Sequence, residues 1–273
     1  MIAVAIPFID QPEITQRCLE VLVENSRGDL ELILVDNGSK EKLKKIPPVW
    51  GSHYIRNETN QGVLTSLKQA LEVTNSKILL HMHNDVLIWE PGWDLRIEET
   101  FKQYPRLGLA GFFGAKKITP DGARIGPESN MLGKEWGTPG SLHGSLLTGL
   151  SPSVIFDSLA MIWRVSAIKE VGIPDEIPPH HWYDRILTLR MLYADWNCAT
   201  IGIAFDHAGS LTYGATDFSA FAREWCERFG VDPGADPDLA LYNYGKSLFE
   251  RDYVNTNRVP LEVFMEDGGW IYI

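Results

Sequence analysis

Residues 79–88 read LLHMHNDVLI. Leu79 and Leu80 continue from Ile78, and Val86, Leu87 and Ile88 resume the apolar run, so His83-Asn84-Asp85 interrupts what otherwise reads as a buried strand. A buried carboxylate is costly unless a cation, a hydrogen-bond donor or water pairs with it. The partner of Asp85 is therefore the central question about function.

Upstream of this stretch the pattern alternates. Ile2 to Ile6 is an apolar run that Pro7 closes, and Ile14, Cys18, Val21 and Leu22 then recur at helical spacing behind Gln11-Pro12. Leu30 to Val35 predicts a second strand, with the turn composition Asp36-Asn37-Gly38-Ser39 at its carboxyl end. A third short strand is expected at His53 to Arg56. Val63, Leu64, Leu67, Ala70 and Leu71 form an amphipathic helix opened by Asn60-Gln61-Gly62, and Lys77 to Met82 is the fourth strand. Strands alternating with helices over residues 1–88 imply a mostly parallel sheet with helices on both faces.

The second half is less regular. A helix is expected behind Pro91-Gly92, a strand at Leu107 to Phe113, a long loop region over about 114–152, and a strand-like run from Val154 to Trp163. A helix from Tyr183 to Tyr193, a last buried strand at Ile201 to Phe205 and two helices near Phe218–Phe229 and Leu239–Phe249 complete the expectation.

Composition sets bounds. A chain of 273 residues with 44% hydrophobic residues can build one sizeable domain. Its 25 Lys and Arg against 36 Asp and Glu give a net charge of -11, which argues against nucleic acid and anionic lipid as partners. Cys18, Cys198 and Cys226 are widely spaced without a C-x-x-C, which suggests buried thiols in a reducing cytoplasm rather than disulfides or zinc. MIAVAIPFID lacks a basic flank and a cleavage site and reads as a strand rather than a signal peptide. No stretch reaches the roughly 18 consecutive apolar residues of a spanning helix, so a soluble protein without a transmembrane segment is expected.

In an open α/β sheet, ligands bind outside the carboxyl ends of the strands, where Pro7, Asp36 and Asp85 fall. Neither G-x-G-x-x-G nor G-x-x-x-x-G-K-[ST] is present, so a nucleotide would have to be held without those phosphate-binding glycines.

In order and spacing, VAIPFIDQPEITQRCLEVL, ELILVDNGS, RNETNQGVLTSLKQAL, ILLHMHNDVLI and SLAMIWRVSAIKEVGIPDE resemble the GT-A glycosyltransferases of the family 2 type, over roughly residues 2–210. The resemblance implies a single GT-A domain over 1–273. Its Rossmann-like nucleotide-binding half would be 1–88, its irregular acceptor-side half 89–214 and a C-terminal helical extension 215–273.

It also implies a metal-dependent transfer of a sugar from a nucleotide-sugar donor, a UDP-sugar in this reading, to a glycan, lipid-linked or small-molecule acceptor hydroxyl, with inversion. HND stands in the place of the family's D-x-D motif, so Asp85 would bind a divalent metal (Mn2+ or Mg2+) on the donor diphosphate. The departure is His83 where an acid or amide is usual: it either retunes the site towards manganese or is structural. Asn84, in the same motif, would be among the residues that bind the donor.

By the same resemblance Asp36 binds the base or ribose, and Pro7 and Phe8 line the base pocket. Asn60 and Gly62 form a polar turn beside the nucleotide or simply cap the helix. His207 completes the metal or diphosphate site or is structural, and Arg164 binds acceptor or phosphate or pairs with a buried acid. Asp184, in HHWYDRILTLR, matches the second acid of a Glu-Asp pair and is the expected catalytic base, while Tyr183 replaces the first acid; a helix-opening acid favourably placed at the dipole is the alternative.

Trp89, Trp93, Trp136, Trp163 and Trp182 offer either a sugar-stacking platform or core. Two other functions compete: a degenerate nucleotide- or glycan-binding module, favoured by His83 and Tyr183, and a sugar nucleotidyltransferase, which PFIDQPE disfavours because it has neither glycine nor a basic residue.

Overall fold

The structure is a computed structural model that describes residues 1–43, 45–47, 51–135, 145–208, 218–266 and 269–273. The first half follows the alternation: β1 (Ile2–Phe8), α1 (Pro12–Asn25), β2 (Leu30–Asp36), β3 (Gly51–Arg56), α2 (Val63–Val73), β4 (Ile78–Met82), β5 (Val86–Ile88) and α3 (Trp93–Gln103). Then come β6 (Leu107–Gly111), β7 (Phe113–Ile118), β8 (Arg124–Met131), β9 (Leu150–Pro152), β10 (Ile155–Phe156), β11 (Ala160–Arg164) and α4 (Val165–Val171). The remainder holds α5 (Tyr183–Tyr193), β12 (Asn197–Ile201), β13 (Ala204–His207), α6 (Phe218–Phe229), α7 (Pro237–Phe249), β14 (Leu261–Glu266) and β15 (Gly269–Tyr272).

Eight strands form the main sheet in the order β3-β2-β1-β4-β11-β6-β12-β9. β3, β2, β1 and β4 run parallel, and β11 enters antiparallel between β4 and β6. Side chains alternate along a strand, and β1 shows why both faces are covered. Ile2, Val4 and Ile6 pack with Leu19 and Leu22 of α1 and Trp93 and Ile97 of α3. Ala3 and Ala5 pack with Leu64 and Leu67 of α2 and Leu187 of α5.

A second sheet, β15-β14-β7-β8-β13-β5 with β10 on β7, stands against this one. It takes several segments that the sequence pattern ran together. LLHMHNDVLI is not one interrupted strand: its first part is β4 of the main sheet and its last part is β5 of the second, with His83-Asn84-Asp85 as the corner. Leu107 to Phe113 likewise divides between β6 and β7, and Ile201 to Phe205 between β12 and β13.

Four expectations are corrected. β1 does not stop before Pro7 but runs through it to Phe8. Because Asn37 N–H donates to Phe8 O on the β2 side, Pro7 faces the β4 side, where pairing ends at Ala5 and no strand donor is required of it. The expected loop over 114–152 contains most of β7, all of β8 and β9; their outward residues (Lys117, Arg124, Glu128) hide the strand pattern. Val154 to Trp163 is two strands, not one. The C-terminal extension is not purely helical, because β14 joins β7 and carries the β15 hairpin with it.

Candidate active site

The carboxyl ends of β1 and β4 and the heads of α2 and α5 surround a cleft of about 290 Å³. Pro7, Phe8 and Asn37, from the ends of β1 and β2, line it together with Ser158, His180, Tyr183 and Trp225. Asn60, Gly62, the His83-Asn84-Asp85 corner and His207 complete the lining.

The corner is pinned at both sides. His83 N–H donates to Leu159 O (2.9 Å) on the neighbouring β11 side, and Asn84 Nδ2 donates to Thr15 Oγ1 (2.9 Å) in the first turn of α1. β13 pairs antiparallel with β5, with His207 opposite Val86, and Ala208 N–H donates to Asp85 O. That pairing is why His207, far away in sequence, meets Asp85.

His207 Nε2 lies 3.4 Å from Asp85 Oδ1, and the His83 and His207 ring centroids are 5.9 Å apart. One donor atom from each of His83, Asp85 and His207 falls within 4.8 Å of the others. Asp85 Oδ1 is buried without a well-formed hydrogen bond among the described residues. With His207 Nε2 at 3.4 Å as its near neighbour and His83 beside it, this carboxylate oxygen and the two imidazoles form a donor set that fits a divalent cation.

Electrostatics divide the three. Burial pushes His83 below the usual imidazole value, against the pull of Asp85. Burial also lowers His207, but the Asp85 and Asp157 carboxylates outweigh it and leave that ring raised. Burial raises Asp85, and the two histidines more than reverse this, so it sits below its ordinary value.

Gly62 holds the head of α2. Its φ of +83° is a conformation that side chains rarely adopt, and a Cβ there would stand 2.5 Å from Pro179. Leu64 N–H donates to Pro179 O (2.9 Å), which ties α2 to the segment carrying His180. Asn60 is not the helix N-cap that sequence reading offered: Gly62 occupies that position, and Asn60 Oδ1 accepts from Gly62 N–H in a turn ahead of it.

Three expected site residues stand outside the cleft lining. Asp36 is fully buried: its oxygens accept from Ser39 N–H (2.7 Å), Tyr54 Oη (2.7 Å) and Arg56 Nη1, so it shapes the end of β2 and β3 rather than offering a free carboxylate. Its neighbour Asn37 faces the cleft instead. Arg164 lies at the opposite end of the sheet, level with Ile78 at the start of β4, where its guanidinium donates to the carbonyls of Phe101, Tyr104 and Leu107. The antiparallel direction of β11 puts it there. Asp184 heads α5 beside the cleft-lining Tyr183, and Arg185 Nη1 contacts both its oxygens at 3.1 Å.

Of the tryptophans singled out, Trp93 and Trp163 are core, Trp182 packs on Phe249 and Tyr242, and Trp89 lies under Lys134. Trp136 is outside the described residues. Trp225, on α6, lines the cleft although nothing in its local sequence marked it, and the same holds for Asn37, Ser158 and His180. Burial pushes His180 down to about 3, with His181 adding to it, so its ring is neutral at ordinary pH.

Comparison with known proteins gives the family and the fold. The model of glycosyl transferase family 2 matches residues 3–169, and the chain belongs to that family. A PGL/p-HBAD biosynthesis glycosyltransferase of Mycobacterium tuberculosis (strain ATCC 25177 / H37Ra) is 25% identical over 95 residues, which is 33% of this chain and 37% of the relative. The match therefore spans little more than a third of that relative's length.

Among solved structures, a mannosyltransferase from Pyrobaculum calidifontis in complex with GDP-Man and Mn2+ superposes with a TM-score of 0.55 at 12% identity, covering 92% of this chain and 70% of that one. GalNAc-T7 with UDP, GalNAc and Mn2+ gives 0.59 at 10% identity, covering 95% and 58%. The fold is the GT-A glycosyltransferase fold. Among the described residues no helix is long and apolar enough to cross a membrane.

Proposed function

We propose that this chain is a single-domain glycosyltransferase that moves a sugar from a nucleotide-sugar donor to an acceptor hydroxyl with a divalent metal, and that it inverts the anomeric centre. The observation that carries this reading is the convergence of His83, Asp85 and His207 on a cleft at the carboxyl end of the sheet, with Asp85 Oδ1 left without a good donor. A divalent cation held by these three would neutralise the charge that grows on the departing diphosphate.

Pro7, Phe8 and Asn37 form the end suited to a base: two flat apolar surfaces and an amide that Asn57 Nδ2 orients through Asn37 Oδ1 (2.8 Å). We take the donor to be a UDP-sugar, with its base on the flat Pro7–Phe8 surface. Asn60 and Gly62 set the backbone beside the diphosphate. Ser158, His180, Tyr183 and Trp225 form the acceptor side, where an indole suits the C–H face of a glycan or other sugar-like acceptor.

Asp184 is our candidate for the base that takes the acceptor proton, and in that role its carboxylate turns from Arg185 towards the cleft. We assign a cytoplasmic location, supported by three free, buried cysteines. A second reading, a module that binds a nucleotide sugar without turning it over, draws on the pairing of Asp184 with Arg185. Metal-dependent hydrolysis of a sugar nucleotide without acceptor supports the enzyme over the module.

Titration calorimetry with UDP and Mn2+ tests the central claim. Asp85→Ala should lose the metal-dependent part of UDP affinity, on the order of a few kcal/mol. Unchanged, metal-independent binding in that variant would overturn the assignment, and tighter binding of GDP than UDP would overturn the donor.

A further inference from the structure

We propose that His83, Asp85 and His207 make a metal site complete enough in protein ligands to hold a transition-metal dication before any nucleotide binds, and that it discriminates against Mg2+. This rests on the reading that the three residues are metal ligands.

The first argument is pre-organisation. Each ligand is carried on pinned backbone: His83 by its N–H to Leu159 O, the corner by Val86 N–H to His83 O, and His207 by the β13–β5 pairing with Ala208 N–H on Asp85 O. Adjacent ligands on an ion with bonds of about 2.1 Å stand about 3 Å apart. Asp85 Oδ1 and His207 Nε2 are already 3.4 Å apart, and the whole donor set spans no more than 4.8 Å, so small side-chain turns bring the three donors onto one ion. A site that is assembled beforehand does not wait for diphosphate oxygens to bring it together.

The second argument is donor chemistry. Two imidazoles and one carboxylate suit Mn2+, Fe2+, Co2+ and Zn2+, and such a set leaves further positions open for oxygens of a ligand. Mg2+ prefers oxygen ligands in near-ideal octahedral geometry and gives up its water reluctantly. Imidazole nitrogen in two of the three protein positions is thus a poor exchange for water on Mg2+ and a good one on Mn2+. His83 is the residue that decides this, because an aspartate in its place would make the set mainly oxygen.

The test uses the full-length protein stripped with chelator and no nucleotide present. Loss of the free Mn2+ electron-paramagnetic signal gives Mn2+ affinity, and calorimetry gives that of Mg2+. Mn2+ should bind at least ~100-fold more tightly than Mg2+, as the nitrogen-rich donor set requires. His83→Ala should weaken Mn2+ binding by about tenfold or more, and His83→Asp should bind Mn2+ while narrowing the Mn2+/Mg2+ ratio by about tenfold or more.

Circular dichroism confirms that both variants are folded, and His83→Asn serves if His83→Ala is not. Equal affinities for the two ions, or Mn2+ binding indifferent to His83, would overturn the proposal. If Mn2+ binds only once UDP is added, the pre-assembled site is wrong while the metal-nucleotide reading stands. If Mn2+ binds neither alone nor with UDP, both fall.

Discussion

Asp36 keeps its carboxylate inside the protein, whereas its neighbour Asn37 lines the cleft with its amide held by Ser66 and Asn57. Tyr183 and Asp184 divide in the same way: the tyrosine lines the cleft and the acid lies against Arg185. The residue types and their neighbourhood were legible in the sequence, but which of two adjacent side chains faces a ligand depends on the backbone at a strand end or a helix head. If Asp184 is the base, Asp184→Asn keeps the shape, removes the basicity and should cut turnover by roughly 10²-fold or more while UDP affinity in calorimetry stays constant. Full activity in that variant, or a product with retained anomeric configuration, would reject the role. Arg164 calls for the opposite result. Arg164→Met strips three carbonyls of a charged donor far from the cleft and should cost about 1.5–3 kcal/mol in urea denaturation without changing nucleotide affinity. A weakened UDP affinity with intact stability would return Arg164 to the site.

Elements were read well where they are local and poorly where they change sheets. Tyr183–Tyr193 is the helix that the spacing predicts, and β2 and β4 differ from expectation by one residue. The corner at His83–Asp85, by contrast, reads as a break in one strand because the apolar pattern of β4 continues in β5. Glu31 illustrates how elements are tied. On β2 it accepts from Thr74 Oγ1 (2.9 Å) and Ser76 Oγ (2.6 Å), in the connection between α2 and β4. Burial raises its pKa, but the two hydroxyls, Asn75 N–H and His53 outweigh that and leave it lowered. A lowered carboxylate adds stability that is present above its unfolded value of about 4.3 and is lost as pH falls through the folded value. Glu31→Gln should therefore cost about 1–3 kcal/mol at pH 7, and the gap to the unmodified protein should close below about pH 4 in urea melts. A gap that is the same at pH 7 and pH 3 would mean that the charge contributes nothing.

For the whole molecule, the C-terminal hairpin closes the second sheet: Leu261 and Glu262 of β14 pair with Ile118 and Lys117, Val263 is fully buried, and Trp270 packs on the core. Truncation after Pro260 bares the edge of β7 and returns Val263 to water, a loss of about 1.5–3 kcal/mol from that side chain alone. The truncated protein should melt lower and scatter more light on heating; an unchanged melting temperature would show the hairpin to be an appendage. The alternation of Leu261, Glu262 and Val263 is too short to announce this hairpin as part of the core, and its packing partners are distant in sequence. By itself the sequence determined the alternation of strands and helices over the first half, the glycosyltransferase family, the polar corner at His83–Asp85 and the strongly acidic balance, since each is written in neighbouring residues or in composition. Only the tertiary structure decided which strands share a sheet, that β11 runs backwards and carries Arg164 away from the cleft, and that β13 brings His207 to Asp85. Periodicity encodes what residues a turn or a pleat apart will do, whereas strand direction and sheet order come from long-range pairing, in which the burial of whole faces selects among arrangements that local spacing leaves equal.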